Sequence, residues 1–278
     1  MQIIGVHTPE FPFAGNRAQV QAAVGRLGIR WPIVMDNDRT IWSAFANSAW
    51  PAIYLIDSSG YVRFRHSGEG RYAETEQAIQ ALLREIAPEA SFPDPLPLVR
   101  PEDGDDAVCY PSTPELHAGD LGVAFASGSS RQVFALPESR SDGRFYLEGT
   151  WRAAEEGITL VSSHGRIVLP FHAATVNAVL TPTPEIEEAP ILDPPMTVKL
   201  LLDGRPLPHR WFGEDVFLEG NEAIARIDAP RMFALVHADG VQPGELHLLP
   251  SQPGLTFYAF SFGSCLRSAS SPHRQTPE

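Results

Sequence analysis

The stretch WPAIYLIDSSGYVRFRHSGEG, residues 50–70, decides the fold of the N-terminal part of this chain. Two runs rich in β-branched and aromatic residues, PAIYLID at 51–57 and YVRFRHSG at 61–68, flank Ser58-Ser59-Gly60, which predicts an antiparallel hairpin. Just downstream, RYAETEQAIQALLREIA at 71–87 repeats its apolar residues at helical spacing. Upstream, WPIVMD at 31–36 is a short apolar strand, and Asp36 or Asp38 can cap a helix over RTIWSAFANSA, with Ile41, Trp42 and Phe45 on its apolar face. Further back, QIIGVH at 2–7 reads as a strand ended by Pro9 and Pro12. NRAQVQAAVGRL at 16–27 then reads as a helix with Asn16 at its N-cap, Gly28 at its stop, and Val20, Ala23, Val24 and Leu27 on one face.

The resulting order is β-α-β-α-β-β-α. A strand, a helix and a strand imply a parallel crossover, and the tight hairpin must be antiparallel. A mixed sheet covered by helices is therefore expected over residues 1–87.

From Pro88 to Pro111 the chain is rich in proline and acid, a composition that favours extended backbone over a core. Beyond it the apolar period changes to two, in RFYLEGTWRAA, ITLVSSHGRIVLPFHA, TVNAVLTP, MTVKLLLDG, AIARIDAP, MFALVHADG, ELHLLP and LTFYAFSFG. Strands at regular spacing without helices predict a β-sandwich or jelly roll over 112–265. TPTPEIEEAPILDPP at 181–195 reads as a long acidic surface loop, and 266–278 as a disordered tail.

The chain has 278 residues and 43% hydrophobic content, enough for two domains with real cores. Its formal charge of −13 argues against nucleic-acid or anionic-lipid partners. No apolar run reaches the length of a membrane span, and MQIIGVHTPEF lacks the pattern of an export signal. No GxSxG, Walker or GxGxxG motif sits in a strand-to-helix context, and nothing calls for a cofactor or a metal.

GVHTPEF, then DND, IW, WPAIYLID, GYVRFRHSGEG and YAETE resemble DipZ-type proteins, and the first domain resembles the C-terminal two-thirds of a TlpA-like thioredoxin fold. LEGTW, RIVLPFHA, LLLDGRPL, GEDV and FYAFSFG resemble the carbohydrate-binding-module-like domain that follows thioredoxin in that family. The fold class implied is α/β plus all-β: an incomplete thioredoxin-like fold, then a jelly-roll or β-sandwich domain. The resemblance also implies thiol-disulfide electron transfer on the extracytoplasmic side, with a CxxC placed upstream of GVHTPEF. This sequence begins at the second strand, so no catalytic residue is assigned within it. The chain is expected to be non-catalytic as given, with a fragment of a complete oxidoreductase or a carbohydrate-binding module as the alternatives. Translated as written, it would stay in the cytoplasm.

Trp50-Pro51 matches the cis-proline loop whose backbone meets a substrate peptide in thioredoxin folds, the other reading being a trans proline opening an edge strand. His7 and Glu10 are expected to line the redox face left without its cysteines. Joining them with His66 and Glu69 as a metal site lacks any HExxH-like spacing. Cys109 and Cys265 flank the β domain, and two readings stand: a disulfide stapling its ends, or two unpaired thiols. Trp151 and Tyr258, in alternating strands, are expected in the core, Tyr146 being a further aromatic of that domain. Trp211 and Phe212 in HRWFGEDV are the better surface for stacking a sugar, with Glu214 and Asp215 able to bind hydroxyls. The partners expected are a protein or glycan, or a second copy docked on the sheet and helix face that the missing β-α unit would expose.

Overall fold

The computed structural model describes residues 1–97, 100, 104, 107–119, 131–154, 156–182 and 195–267. Most of the acidic loop and the C-terminal tail expected from the sequence, and part of the proline-rich linker, lie outside the described residues. The chain forms two compact units that are not contiguous in sequence: residues 1–9, 22–109 and 265–278 make the first, and residues 10–21 and 110–264 the second.

In the first unit, strand β1 (Gly5–His7) pairs in parallel with β2 (Ile33–Met35); helix α1 (Arg17–Arg26) lies between them in sequence, its residues 22–26 in this unit and 17–21 in the second. Asn16 Oδ1 accepts the N–H groups of Ala18 and Gln19 at 2.9 and 3.3 Å, the N-cap its side chain suits. Gly28, with φ of +63°, and the Ile29 N–H bonded to the Val24 carbonyl close the other end of the helix. Helix α2 (Thr40–Ala44) is shorter than its apolar pattern predicts, because Ala46 turns left-handed at φ 49°. The hairpin forms as expected from β3 (Ala52–Ile56) and β4 (Val62–Ser67). Asp57 Oδ1 sets its turn by accepting the N–H groups of Ser59 and Tyr61 at 2.9 and 3.0 Å. Helix α3 (Tyr72–Ile86) follows, tied to β4 by the two-pronged Arg63–Glu85 pair at 3.0 and 2.9 Å.

These pieces do not join into the expected mixed sheet. β1–β2 and β3–β4 remain separate two-stranded sheets, since among the described residues no strand lies between them to bond both inner edges. The energetic consequence is visible in the burial. Ile4, Val6, Val34, Ile56 and Val62 are 61, 45, 40, 51 and 52% exposed, and no described apolar side chain of this unit is fully buried. A core of fully buried Val and Ile side chains would contribute about 1.5–3 kcal/mol each, and here that contribution is largely missing.

The second unit is the opposite case. Its strands are β6 (Leu116–His117), β7 (Arg131–Phe134), β8 (Tyr146–Ala154), β9 (Gly157–Pro182), β10 (Met196–Leu202), β11 (Arg205–Pro206), β12 (Val216–Glu219), β13 (Glu222–Ile227), β14 (Arg231–Pro250) and β15 (Leu255–Gly263). All ten belong to one antiparallel network, whose main path runs β12-β13-β10-β14-β9-β15-β6. β10 alternates buried and half-buried residues along its whole length, as the period of two requires. Trp151, Phe233, Phe257 and Phe260 are wholly buried in a core that the strands share. Tyr258 is buried in a smaller cluster with Phe11. Two additional short strands of the first unit, β5 (Ala107–Cys109) and β16 (Cys265–Arg267), form a separate antiparallel ribbon.

Candidate functional site

The ends of β1 and β2 and the loop before β3 converge through one buried carboxylate. Asp36, 2% exposed, follows β2, and its Oδ1 accepts the Ile41 N–H at 2.8 Å while Oδ2 accepts the Trp42 N–H at 2.8 Å. The same Oδ2 accepts the Thr8 hydroxyl at 3.0 Å, and the Trp50 indole N–H donates to the Thr8 carbonyl at 3.2 Å. Desolvation pushes the Asp36 carboxyl up, but the N–H groups of Ile41 and Trp42 and the Thr8 hydroxyl outweigh it and hold the group below its ordinary value. Asp38 caps as well, accepting the Thr40 N–H at 3.2 Å.

This node holds a Trp50–Pro51 peptide bond that is cis. The Pro51 carbonyl accepts the Gly68 N–H at 2.8 Å, which fixes the loop to the far end of β4. Trp50 packs on Trp42 with ring centroids 4.3 Å apart, and the Arg39 guanidinium lies 5.6 and 5.9 Å from the two ring centroids. Arg39 also donates to the Pro9 carbonyl at 3.4 Å. Trp50 stays 44% exposed and Pro51 is exposed, so the loop presents a fixed surface to solvent. Thr8, Arg39 and Trp42 are the residues that sequence reasoning missed as parts of this loop; the signal was TPEF followed by DND and IW, which place Thr8 just after β1 and Arg39 and Trp42 at the start of α2.

His7, half-buried, closes β1, and Glu10 is exposed. His66 is buried on β4, while Glu69 meets Arg100 at 2.7 Å and Tyr72. Glu10 instead has a carboxylate oxygen within 4.8 Å of ligand atoms of Glu115 and His117. The face around the cis-proline offers positioned backbone and aromatic surface, and it contains no thiol, because both cysteines of the chain are joined to each other.

In the second unit, Trp211 and Phe212 are half-buried against the main core, and Phe212 bridges to Val236. Arg210 covers the Trp211 ring at 5.7 Å and His209 packs on Phe212 at 4.9 Å. Asp215 is engaged: Oδ1 pairs with Arg231 at 2.8 Å and Oδ2 accepts the Ala234 N–H at 2.8 Å. Glu214 is exposed, and Tyr146 accepts the Ser141 N–H on its hydroxyl at 2.9 Å. The structure therefore places this loop as a lid on β14, with one side of each aromatic already occupied.

The chain is 33% identical over 268 residues to the protein DipZ of Mycobacterium bovis and of Mycobacterium tuberculosis, covering 95% of this chain and 34% of theirs. It thus spans about a third of the length of these curated relatives. It is 25% identical over 85 residues to the thiol-disulfide oxidoreductase YkuV of Bacillus subtilis, covering 31% of this chain and 57% of that one. A family two carbohydrate esterase from Cellvibrio japonicus is similar in structure at a TM-score of 0.34 and 10% identity, over 60% of this chain and 38% of that one. The family described as thioredoxin like C-terminal domain matches residues 122–263, just over half of the sequence, and the chain belongs to that family.

Proposed function

We propose that this chain is the soluble part of a thiol-disulfide electron-transfer protein of the DipZ type, and that it contributes the substrate-facing loop and not the reactive cysteines. The observation that carries this reading is the exposed Trp50–Pro51 loop, whose indole is held by the Thr8 carbonyl and the Trp42 ring, both residues being bonded in turn to Asp36. Such a preorganised backbone suits docking of an extended peptide beside a reacting disulfide. The separation of β1–β2 from β3–β4 supports the rest of the proposal: a strand carrying the CxxC, contributed by residues outside this sequence, joins β1 to β3 and covers the apolar side chains now exposed. Without that strand, the same surface favours self-association.

An extracytoplasmic location accompanies this reading. The disulfide between Cys109 and Cys265 suits an oxidising compartment, and no helix among the described residues is long and apolar enough to cross a membrane.

The test is to extend the chain at its N-terminus by a strand and helix bearing CxxC and to measure its reduction of a disulfide substrate with and without Trp50→Ala. The substitution is expected to slow the extended protein at least about tenfold through lost positioning. An unchanged rate would overturn the role given to the loop.

A further inference from the structure

Cys109 and Cys265 stand 156 residues apart in sequence and directly opposite each other in β5 and β16, with Cα atoms 3.8 Å apart. Nothing in their sequence neighbourhood resembles a redox motif. We propose that this disulfide is a second thiol-exchange site, an electron acceptor for small or protein dithiols, separate from the CxxC chemistry proposed above and independent of it.

Three observations carry the proposal. The first is access: Cys109 is exposed, Cys265 is half-buried, and the residues on either side of Cys109, Val108 and Tyr110, are 44 and 48% exposed. An attacking thiolate therefore reaches the Cys109 sulfur with the least displacement of protein. The second is the small size of the element that holds the bridge. Among the described residues, β5 and β16 share three residue pairs, Cys265 with Cys109, Leu266 with Val108 and Arg267 with Ala107, in a ribbon that joins no larger sheet. Two-stranded ribbons this short are marginal without a cross-link, so breaking the bridge requires little else to open. The third is the make-up of the large core: the ten-stranded network and its buried cluster include neither cysteine.

The reaction balances as an ordinary exchange. A thiolate of the dithiol attacks Cys109 Sγ, the bond between the two cysteine sulfurs breaks, and Cys265 leaves as a thiolate that takes up a proton. The second thiol of the dithiol then attacks its own sulfur in the mixed disulfide, and Cys109 leaves as the second thiolate. The dithiol is oxidised to its disulfide, and the protein gains two electrons and two protons.

The experiment treats the oxidised full chain, under native conditions, with dithiothreitol as the dithiol and separately with glutathione as a monothiol, followed by acid quench, alkylation and mass mapping. Dithiothreitol is expected to yield two alkylated cysteines while the near-ultraviolet circular dichroism of the aromatic core stays unchanged. Glutathione is expected to form its mixed disulfide at Cys109. Hydrogen exchange after reduction should lose protection at residues 107–109 and 265–267 and keep it in β9 and β14. A bridge that yields only in denaturant, a mixed disulfide confined to Cys265, or loss of protection throughout the large sheet would each overturn the proposal.

Discussion

Asp36 shows how much of the N-terminal unit hangs on one side chain. Its two oxygens accept two helix N–H groups and the Thr8 hydroxyl, so Asp36→Asn leaves only one strong acceptor where three donors converge. The expected outcome is a loosened Trp42–Trp50 pair, read as a loss of near-ultraviolet tryptophan dichroism. An unaltered spectrum would contradict the account of the node. In the second unit, Glu245 is held below its ordinary value, first by the Arg140 guanidinium that bonds both its oxygens at 2.7 and 2.9 Å, and further by His247. A carboxyl depressed on folding stabilises the protein above its unfolded pKa, and that stability is lost as pH falls through the lower folded value. Arg140→Met is therefore expected to lower stability at neutral pH and to flatten its decline on acidification, measured by denaturant midpoints between pH 7 and pH 3. Gly213 is constrained differently: a Cβ there would lie 2.2 Å from the Ala234 carbonyl oxygen, so Gly213→Ala is expected to cost about 1–3 kcal/mol in urea unfolding. The sequence marks Asp36 as a cap, because it stands between a strand and a helix. Its bonds to Thr8, and through Thr8 to Trp50, could not be read there, since they join residues 28 and 42 positions apart.

At the scale of elements, local patterns were legible where local chemistry decides them. The hairpin at 52–67 follows from its turn residues, and α1 begins and ends where Asn16 and Gly28 require. Element length was less legible. Asp239-Gly240 looks like a turn between two strands, yet β14 runs unbroken from Arg231 to Pro250. The extra residues are absorbed in a register shift between His237 and Gln242 against β9, which only the partner strand can specify. The pairing of Cys109 with Cys265 is likewise a product of tertiary register. Replacing both with serine removes a cross-link that limits the unfolded chain, and it is expected to cost about 2–4 kcal/mol in reducing-agent-free unfolding. A double variant as stable as the oxidised chain would show that the bridge contributes nothing.

Across the whole molecule, the two units have unequal means of holding themselves together. The β unit buries Trp151, Phe233, Phe257 and Phe260 completely, whereas the α/β unit buries no described apolar strand residue and leaves Val6, Val34, Ile56 and Val62 exposed. The sequence signalled both classes of structure through their periods of 3.6 and 2. It could not show that two correctly formed strand pairs would stay apart, because joining them takes a strand bonded to both, and none lies there among the described residues. Hydrogen exchange is expected to be fast in β1 to β4 and slow in β9, β14 and β15, and sedimentation is expected to show concentration-dependent association. A monodisperse monomer protected equally in both units would contradict this picture. The most direct test of the central claim is a dithiothreitol-coupled insulin-reduction assay on this chain beside one extended to include a CxxC-bearing strand and helix. Catalysis is expected from the extended chain alone, and turnover by the present chain at a comparable rate would contradict a scaffold that lacks its reactive cysteines.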